Sequence, residues 1–336
     1  MEEIAILFAM VIGFVITVFI LPFWIRKASQ AGLLGKDMNK YNKPEVAEAG
    51  GVVFVLGTLF AVLFYIFTKT FYFGTGTNLV ETFAILLTLL FAGFVGFVDD
   101  MLGWKIGIKR MHKVLLTIPI CIPLVVINAG ESLMNIPFFG FVDFGILYPL
   151  AIIPIGVIGA TNGYNMLAGF NGLEAGLGTI ILAALGFISW FVNADLWLAA
   201  ISFSAVGALI GFLVFNWYPA KVFPGDSLTY ATGALIAAIA ILGNMEKIAL
   251  FLFIPFILDA ALSLWPEFRG GDKVEAFGKP RPDGSLVMPY KSISDMTHVA
   301  MKILGKLKKN VYESNVTEFL LMLEAVLVVV AFLVFI

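Results

Sequence analysis

The chain has 336 residues, 60% of them hydrophobic and only 13% charged, with 33 phenylalanines and a formal net charge of −2. A soluble globular chain carries about 25% charged residues, so that class is excluded; repeated uncharged runs point instead to an all-α integral membrane protein. The lone Cys121 excludes an intramolecular disulfide and a cysteine metal cluster, and nothing in the composition suggests a nucleic-acid partner.

Ten apolar runs are expected to be membrane spans, at roughly 4–23, 50–68, 82–98, 114–130, 144–160, 177–192, 196–215, 228–243, 247–265 and 316–336. Pro119 and Pro123 interrupt the fourth. The first follows Met1-Glu2-Glu3 without a basic segment before it and reads as a retained span. Of the 21 Lys and Arg residues, all but Lys69 and Lys247 fall in the odd-numbered connections. The positive-inside rule then places those connections in the cytoplasm and both termini outside. The whole chain, 1–336, reads as one polytopic domain, with 266–315 as a cytoplasmic recognition loop within it.

The first connection contains GLLGKDMNKYNKPEVAEAGG, dense in polar function at Asp37, Asn39, Lys40 and Glu45. Gly50-Gly51 allows close backbone approach as the next helix starts. The third opens with Asp99-Asp100, expected at a helix C-terminus. There mutual repulsion and the negative end of the dipole both disfavour two carboxylates unless a cation is near. Lys113 begins the next span and suits either a phosphate or the charge asymmetry alone.

The fifth connection, TNGYNMLAGFNGLEAG, carries Asn162, Asn165, Asn171 and Glu174 between two apolar runs. It forms either a Gly/Asn turn or a neutral polar surface for a base, a sugar or a metal. In the seventh, Asp226 follows Pro224-Gly225 just before an apolar helix. It reads as an N-cap or as a ligand to a metal carrying diphosphate, with Phe223 placed for base stacking or interfacial packing. In the ninth, Pro-Asp-Gly predicts a small hairpin with Lys279 and Arg281 on one face of its first arm. Beyond it, 295–309 predicts an amphipathic helix on the membrane surface, with Val299, Ile303 and Leu307 as its apolar side. Asp259 and Glu324 fall inside spans near their ends, where snorkelling or a helix–helix hydrogen bond is the expected role. Polar islands confined to one face suit an enzyme working at the bilayer surface better than a transporter.

Together GKDMNK, Pro44-Glu45, the Asp99-Asp100 pair, NMLAGFNGLEAG and FNWYPAKVFPGDS resemble the polyprenyl-phosphate N-acetylhexosamine-1-phosphate transferase superfamily. The likeness is to its archaeal and eukaryotic branch, whose acceptor is dolichyl phosphate. The resemblance implies a ten-helix bundle with a cytosolic site. Its reaction passes GlcNAc-1-phosphate from UDP-GlcNAc to a polyprenyl phosphate with release of UMP, as the first step of N-glycan lipid-linked assembly. It implies Asn165 and Asp226 as ligands of Mg²⁺, for which Mn²⁺ could substitute. It further implies Asn171 and Phe223 as uracil contacts, and Lys113, Arg281 and Lys279 as a diphosphate clamp. Asp99 and Asp100 match the paired catalytic acids, and Asp37, Asn39, Lys40, Glu45 and Glu174 fall in its substrate-binding motifs. A homodimer is left open.

A phosphomonoester, with its second pKa about 6, is already mostly ionised at neutral pH, which favours one-step displacement. Double displacement through Asp100 is the open alternative. Two departures stand out: Gly103 sits where many relatives carry Asn or Asp, and Lys-Pro-Arg-Pro replaces a histidine-rich signature, against a muramyl-pentapeptide substrate. The competing readings are a nucleotide-sugar transporter and the same chemistry with a different UDP-sugar.

Overall fold

The computed structural model describes residues 2–106, 110–136, 140–270 and 274–336. Helix α1 (Glu2–Gln30) leads into a hairpin of β1 (Leu34–Lys36) and β2 (Glu45–Ala47), then α2 (Gly51–Phe71) and α3 (Leu79–Ile106). Two short helices, α4 (Arg110–Leu116) and α5 (Ile118–Val126), precede a second hairpin, β3 (Leu133–Ile136) and β4 (Gly140–Asp143). A π turn at Tyr148–Ile152 opens α6 (Ile153–Met166), followed by α7 (Leu173–Phe191), α8 (Leu196–Asn216) and α9 (Gly225–Leu242). Then come α10 (Glu246–Leu252), α11 (Ile254–Phe268), β5 (Lys279–Pro280) and β6 (Ser285–Val287). The chain closes with α12 (Met296–Leu307), β7 (Val311–Tyr312) and α13 (Glu313–Phe335).

Among the described residues, seven helices are long and apolar enough to cross a bilayer, or eight if α10 and α11, bent by 54°, form one span. The expected fourth and fifth spans are the ones that fall short. The fourth is divided at Thr117, with Pro119 and Pro123 in its second piece. The fifth is a 14-residue helix behind a π turn, with prolines at the start of both pieces. Proline fixes φ and removes a donor, so the apolar run cannot continue as one regular helix. The third helix departs in the other direction. It runs on to Ile106, so Asp99-Asp100 sit inside it rather than at its end.

Helix α9 is the axis of the bundle: 83% of its apolar window is buried, against 17% for α13. Its small side chains, Ala231, Gly233, Ala234 and Ala238, let neighbours approach closely, the packing mode that membrane interiors favour. Its first turn is gripped from two sides. A β-carbon on Gly96 of α3 would overlap the Asp226 carbonyl, and one on Gly51 of α2 would overlap the Leu228 backbone. These glycines fix where the carboxylates of α3 lie relative to the start of α9.

The ninth connection builds the expected hairpin, extended to a three-stranded β5-β6-β7 sheet. Its helix α12 is capped by Asp295, which accepts from the Thr297 amide at 2.7 Å. The buried side of α12 differs from expectation. His298, Ala300, Met301 and Leu304 pack inward, while Ile303 and Leu307 are exposed beside Lys302 and Lys306. The cause is tertiary, because α12 packs against α11 and α13. Neither intramembrane acid snorkels. Buried Asp259 accepts from the Met296 amide at 2.8 Å and ties α11 to α12, and Glu324 is fully buried.

Gly96→Ala is expected to force α3 away from α9 and to destabilise the fold by about 1–3 kcal/mol, the usual range for overpacking. Thermal unfolding of the purified protein in detergent measures it; an unchanged midpoint would contradict the proposed grip.

Candidate active site

The ends of α1, α3 and α6 and the start of α9 converge with the first hairpin and the 167–172 loop. Asp100 lies against the first turn of α9, accepting from the Asp226 amide at 2.6 Å and the Ser227 amide at 3.2 Å. It therefore caps a helix that is not its own, satisfying two amides left without intrahelical partners. Asp226 is consequently not the N-cap. It occupies the first helical turn, behind Pro224, and its carboxylate is free to face Lys113 at 2.9 Å. Lys113 also reaches Asp99 at 2.8 Å, and the Tyr230 hydroxyl donates to Asp99 at 3.0 Å.

Three carboxylates thus meet one lysine and a helix N-terminus. The amides and the positive end of the dipole offset part of the repulsion, and one further cation would offset the remainder. Asn165 supplies a second oxygen: its Oδ1 accepts from the Thr229 hydroxyl at 2.7 Å, one turn beyond Asp226 on α9. Asn165 and Asp226 line the same cleft. No group of three His, Cys, Asp or Glu side chains among the described residues could hold a metal by itself. An all-oxygen pair short of a full cage is the donor set that fits Mg²⁺, which is commonly held by one or two carboxylates together with substrate phosphates and water.

Two clefts meet here. The larger, about 620 Å³, lies between Trp24, Leu33, Phe97 and Met101, and contains Asp99, Asp100 and Lys113. The smaller, about 390 Å³, has Asn165, Asn171, Glu174 and Phe223 on its walls, with Phe277 contributed by the ninth connection. They share only Glu48, Gly225 and Asp226. Glu48 was not singled out in the sequence, where it is one acid in an Ala-Glu-Ala-Gly-Gly run. Its place becomes visible only when Gly35, where any β-carbon would overlap the Glu48 carboxyl, brings β1 over it. Burial, reinforced by the Asp226 charge, pushes the Glu48 carboxyl up to about 7, against one hydrogen bond from the Ala49 amide that opposes the shift.

Several of the other sequence candidates form the frame of the smaller cleft. Lys40 pairs with Glu313, with Asp37 at 3.1 Å and with the Asn171 Oδ1 at 3.3 Å, and sits 4.1 Å above the Tyr218 ring. Asn171 Oδ1 also accepts from the Ala220 amide at 2.8 Å, and its Nδ2 donates to Asp37 at 3.3 Å. Asn39 donates to the Gly169 carbonyl at 2.9 Å and accepts from the Gly278 amide at 3.0 Å, joining first, fifth and ninth connections. Glu174 accepts from the Gly169 amide at 2.7 Å, holding the loop that presents Asn171. Glu45, Lys279 and Arg281 are exposed and line neither cleft.

Lys40→Met would leave Asp37 and Glu313 without their shared cation, and both are nearly fully buried. A loss of about 3 kcal/mol is expected, as when one partner of a buried ion pair is removed. Chemical unfolding checks this; a cost below about 1 kcal/mol, as for a surface pair, would show that the lysine is not a framework residue.

Residues 82–244 match glycosyl transferase family 4. A Saccharolobus solfataricus protein, provisionally named UDP-N-acetylglucosamine–dolichyl-phosphate N-acetylglucosaminephosphotransferase, is 35% identical over 98% of this chain and 97% of its own length. The similarly named protein of Dictyostelium discoideum is 29% identical over 72% of this chain and 67% of its own. A phospho-N-acetylmuramoyl-pentapeptide-transferase of Halalkalibacterium halodurans is 32% identical over 77% and 81%. Near-complete alignment at this identity agrees with the motifs clustered around Asp226: the chain belongs to glycosyl transferase family 4.

Proposed function

We propose that this protein transfers GlcNAc-1-phosphate from UDP-GlcNAc to a polyprenyl phosphate of the dolichyl type, giving the lipid diphosphate sugar and UMP. The observation that carries the reading is the meeting of two clefts at Asp226 and Glu48. In-line displacement needs donor and acceptor on opposite sides of one phosphorus. The uridine diphosphate occupies the smaller cleft, with the base against Phe223 and the diphosphate toward Asn165 and Asp226. The acceptor phosphate lies on the Asp99–Lys113 side of Asp226. One of its oxygens forms the new bond to the β-phosphorus as the bond to the UMP oxygen breaks.

Mg²⁺, held by Asn165 and Asp226 when bound, would supply charge neutralisation at the diphosphate. Lys113, fixed between Asp99 and Asp226, supplies the cation on the acceptor side. Asp99 orients that lysine. Both oxygens of Asp100 are engaged by backbone amides, which supports one-step transfer over a covalent intermediate on this carboxylate. An apolar groove of about 340 Å³ between α6, α9 and α10–α11 offers a bed for an isoprenoid chain. Side chains added at Gly156, Gly159 or Gly163 on its wall would meet nothing.

The site faces the cytoplasm in this reading, since the basic connections lie on its side. The broken α4–α5 segment and α6 complete ten crossings, with both termini outside.

Purified protein with UDP-GlcNAc, dolichyl phosphate and Mg²⁺ is expected to release UMP; EDTA abolishes it, and Asp226→Ala lowers it by about 10³-fold. Folded protein that binds and turns over neither substrate would refute the assignment. Glu48 adds a pH signature. It is neutral below about 7 and adds a negative charge at the seam as pH rises through that value. Affinity for UDP-GlcNAc, whose diphosphate does not titrate there, is therefore expected to fall between pH 6 and 8, and Glu48→Gln to make that fall shallower, since Glu174 and Asp226 line the same cleft. A slope unchanged in Glu48→Gln would assign the titration elsewhere.

A further inference from the structure

Four acidic side chains line the smaller cleft, two of them, Asp37 and Asp226, paired with lysines. Asp37, Glu48, Glu174 and Asp226 line it, yet the diphosphate proposed to bind there is itself an anion. Lys40 is committed to Glu313, Asp37 and Asn171, and Lys113 is held between Asp99 and Asp226 on the wall of the other cleft. Lys279 and Arg281, on the β5–β6 hairpin, do not line it. Among the described residues lining the smaller cleft, one cation is left: Lys36.

Its placement is built, not incidental. Lys36 ends β1 and faces Glu45 across the ladder, with no ion pair between them among the described residues. Its neighbours fix the backbone on both sides. Gly35 lies against the Glu48 carboxyl, and the Asp37 amide donates to the Pro44 carbonyl at 2.9 Å. The hairpin thus holds the root of the exposed Lys36 side chain at the edge of the cleft, and among the described residues its ammonium has no hydrogen-bond or ion-pair partner. An ammonium on a flexible stem is a point-charge phosphate binder that needs no fixed fork geometry.

We propose that Lys36 is the cation of this cleft that binds the diphosphate of the incoming nucleotide sugar. The inference rests on the placement of the nucleotide in the smaller cleft. It predicts a graded dependence on phosphate charge. Lys36 contributes nothing to the nucleoside, something to the monophosphate and most to the diphosphate.

The experiment is calorimetric titration of the full-length protein in detergent with uridine, UMP and UDP at fixed pH and Mg²⁺. Lys36→Gln is expected to weaken UDP by about tenfold, as for loss of one charge-assisted contact, and uridine by less than about twofold. Lys36→Arg is expected to restore most of the UDP affinity, and Lys221→Gln, an exposed lysine outside both clefts, to leave it unchanged. Equal weakening of uridine and UDP, no weakening of either, or the same loss in Lys221→Gln would overturn the role of Lys36 while leaving the nucleotide cleft standing. Failure of the unaltered protein to bind any of the three would overturn the cleft assignment and this inference together.

Discussion

Everything at the site depends on how the start of α9 is held. Asp100 accepts the Asp226 and Ser227 amides, and Lys113 spans Asp99 and Asp226. Three carboxylates gathered at one helix end, two of them on one lysine, would repel each other in an apolar surrounding. The free amides of the helix end and the Tyr230 hydroxyl make the arrangement tolerable. What remains is an excess of negative charge facing an open cleft. In the proposed reaction, a metal and a substrate phosphate would answer that excess.

The glycines of this region act through distance, not through flexibility. Gly51 and Gly96 bring α2 and α3 onto the first turn of α9, and Gly35 brings the first hairpin onto Glu48. The result is a seam, Glu48, Gly225 and Asp226, that lines both clefts. Around it, Lys40, Asn39, Asn171 and Glu313 tie four chain segments into a frame. Because that frame is buried and polar, each member is needed to satisfy the others.

Much was legible in the sequence. The apolar runs and the lysine asymmetry give a polytopic helical protein with its polar chemistry on one face, and the motifs lead to the family. Lipid tolerates no unsatisfied backbone, so hydropathy is a direct imprint of the environment. The broken fourth and fifth segments were less legible, since proline shows where a helix is interrupted but not how its pieces are set.

Sequence by itself singled out the candidate residues, Asp99, Asp100, Asn165 and Asp226 among them, because side-chain type is a local property. Tertiary structure alone decided what each one does there. Asp100 spans 126 positions to cap α9, Lys40 spans 273 to reach Glu313, and Glu48 is defined by the two cavities it separates. Such roles come from packing between elements distant in the chain, and no local spacing encodes them.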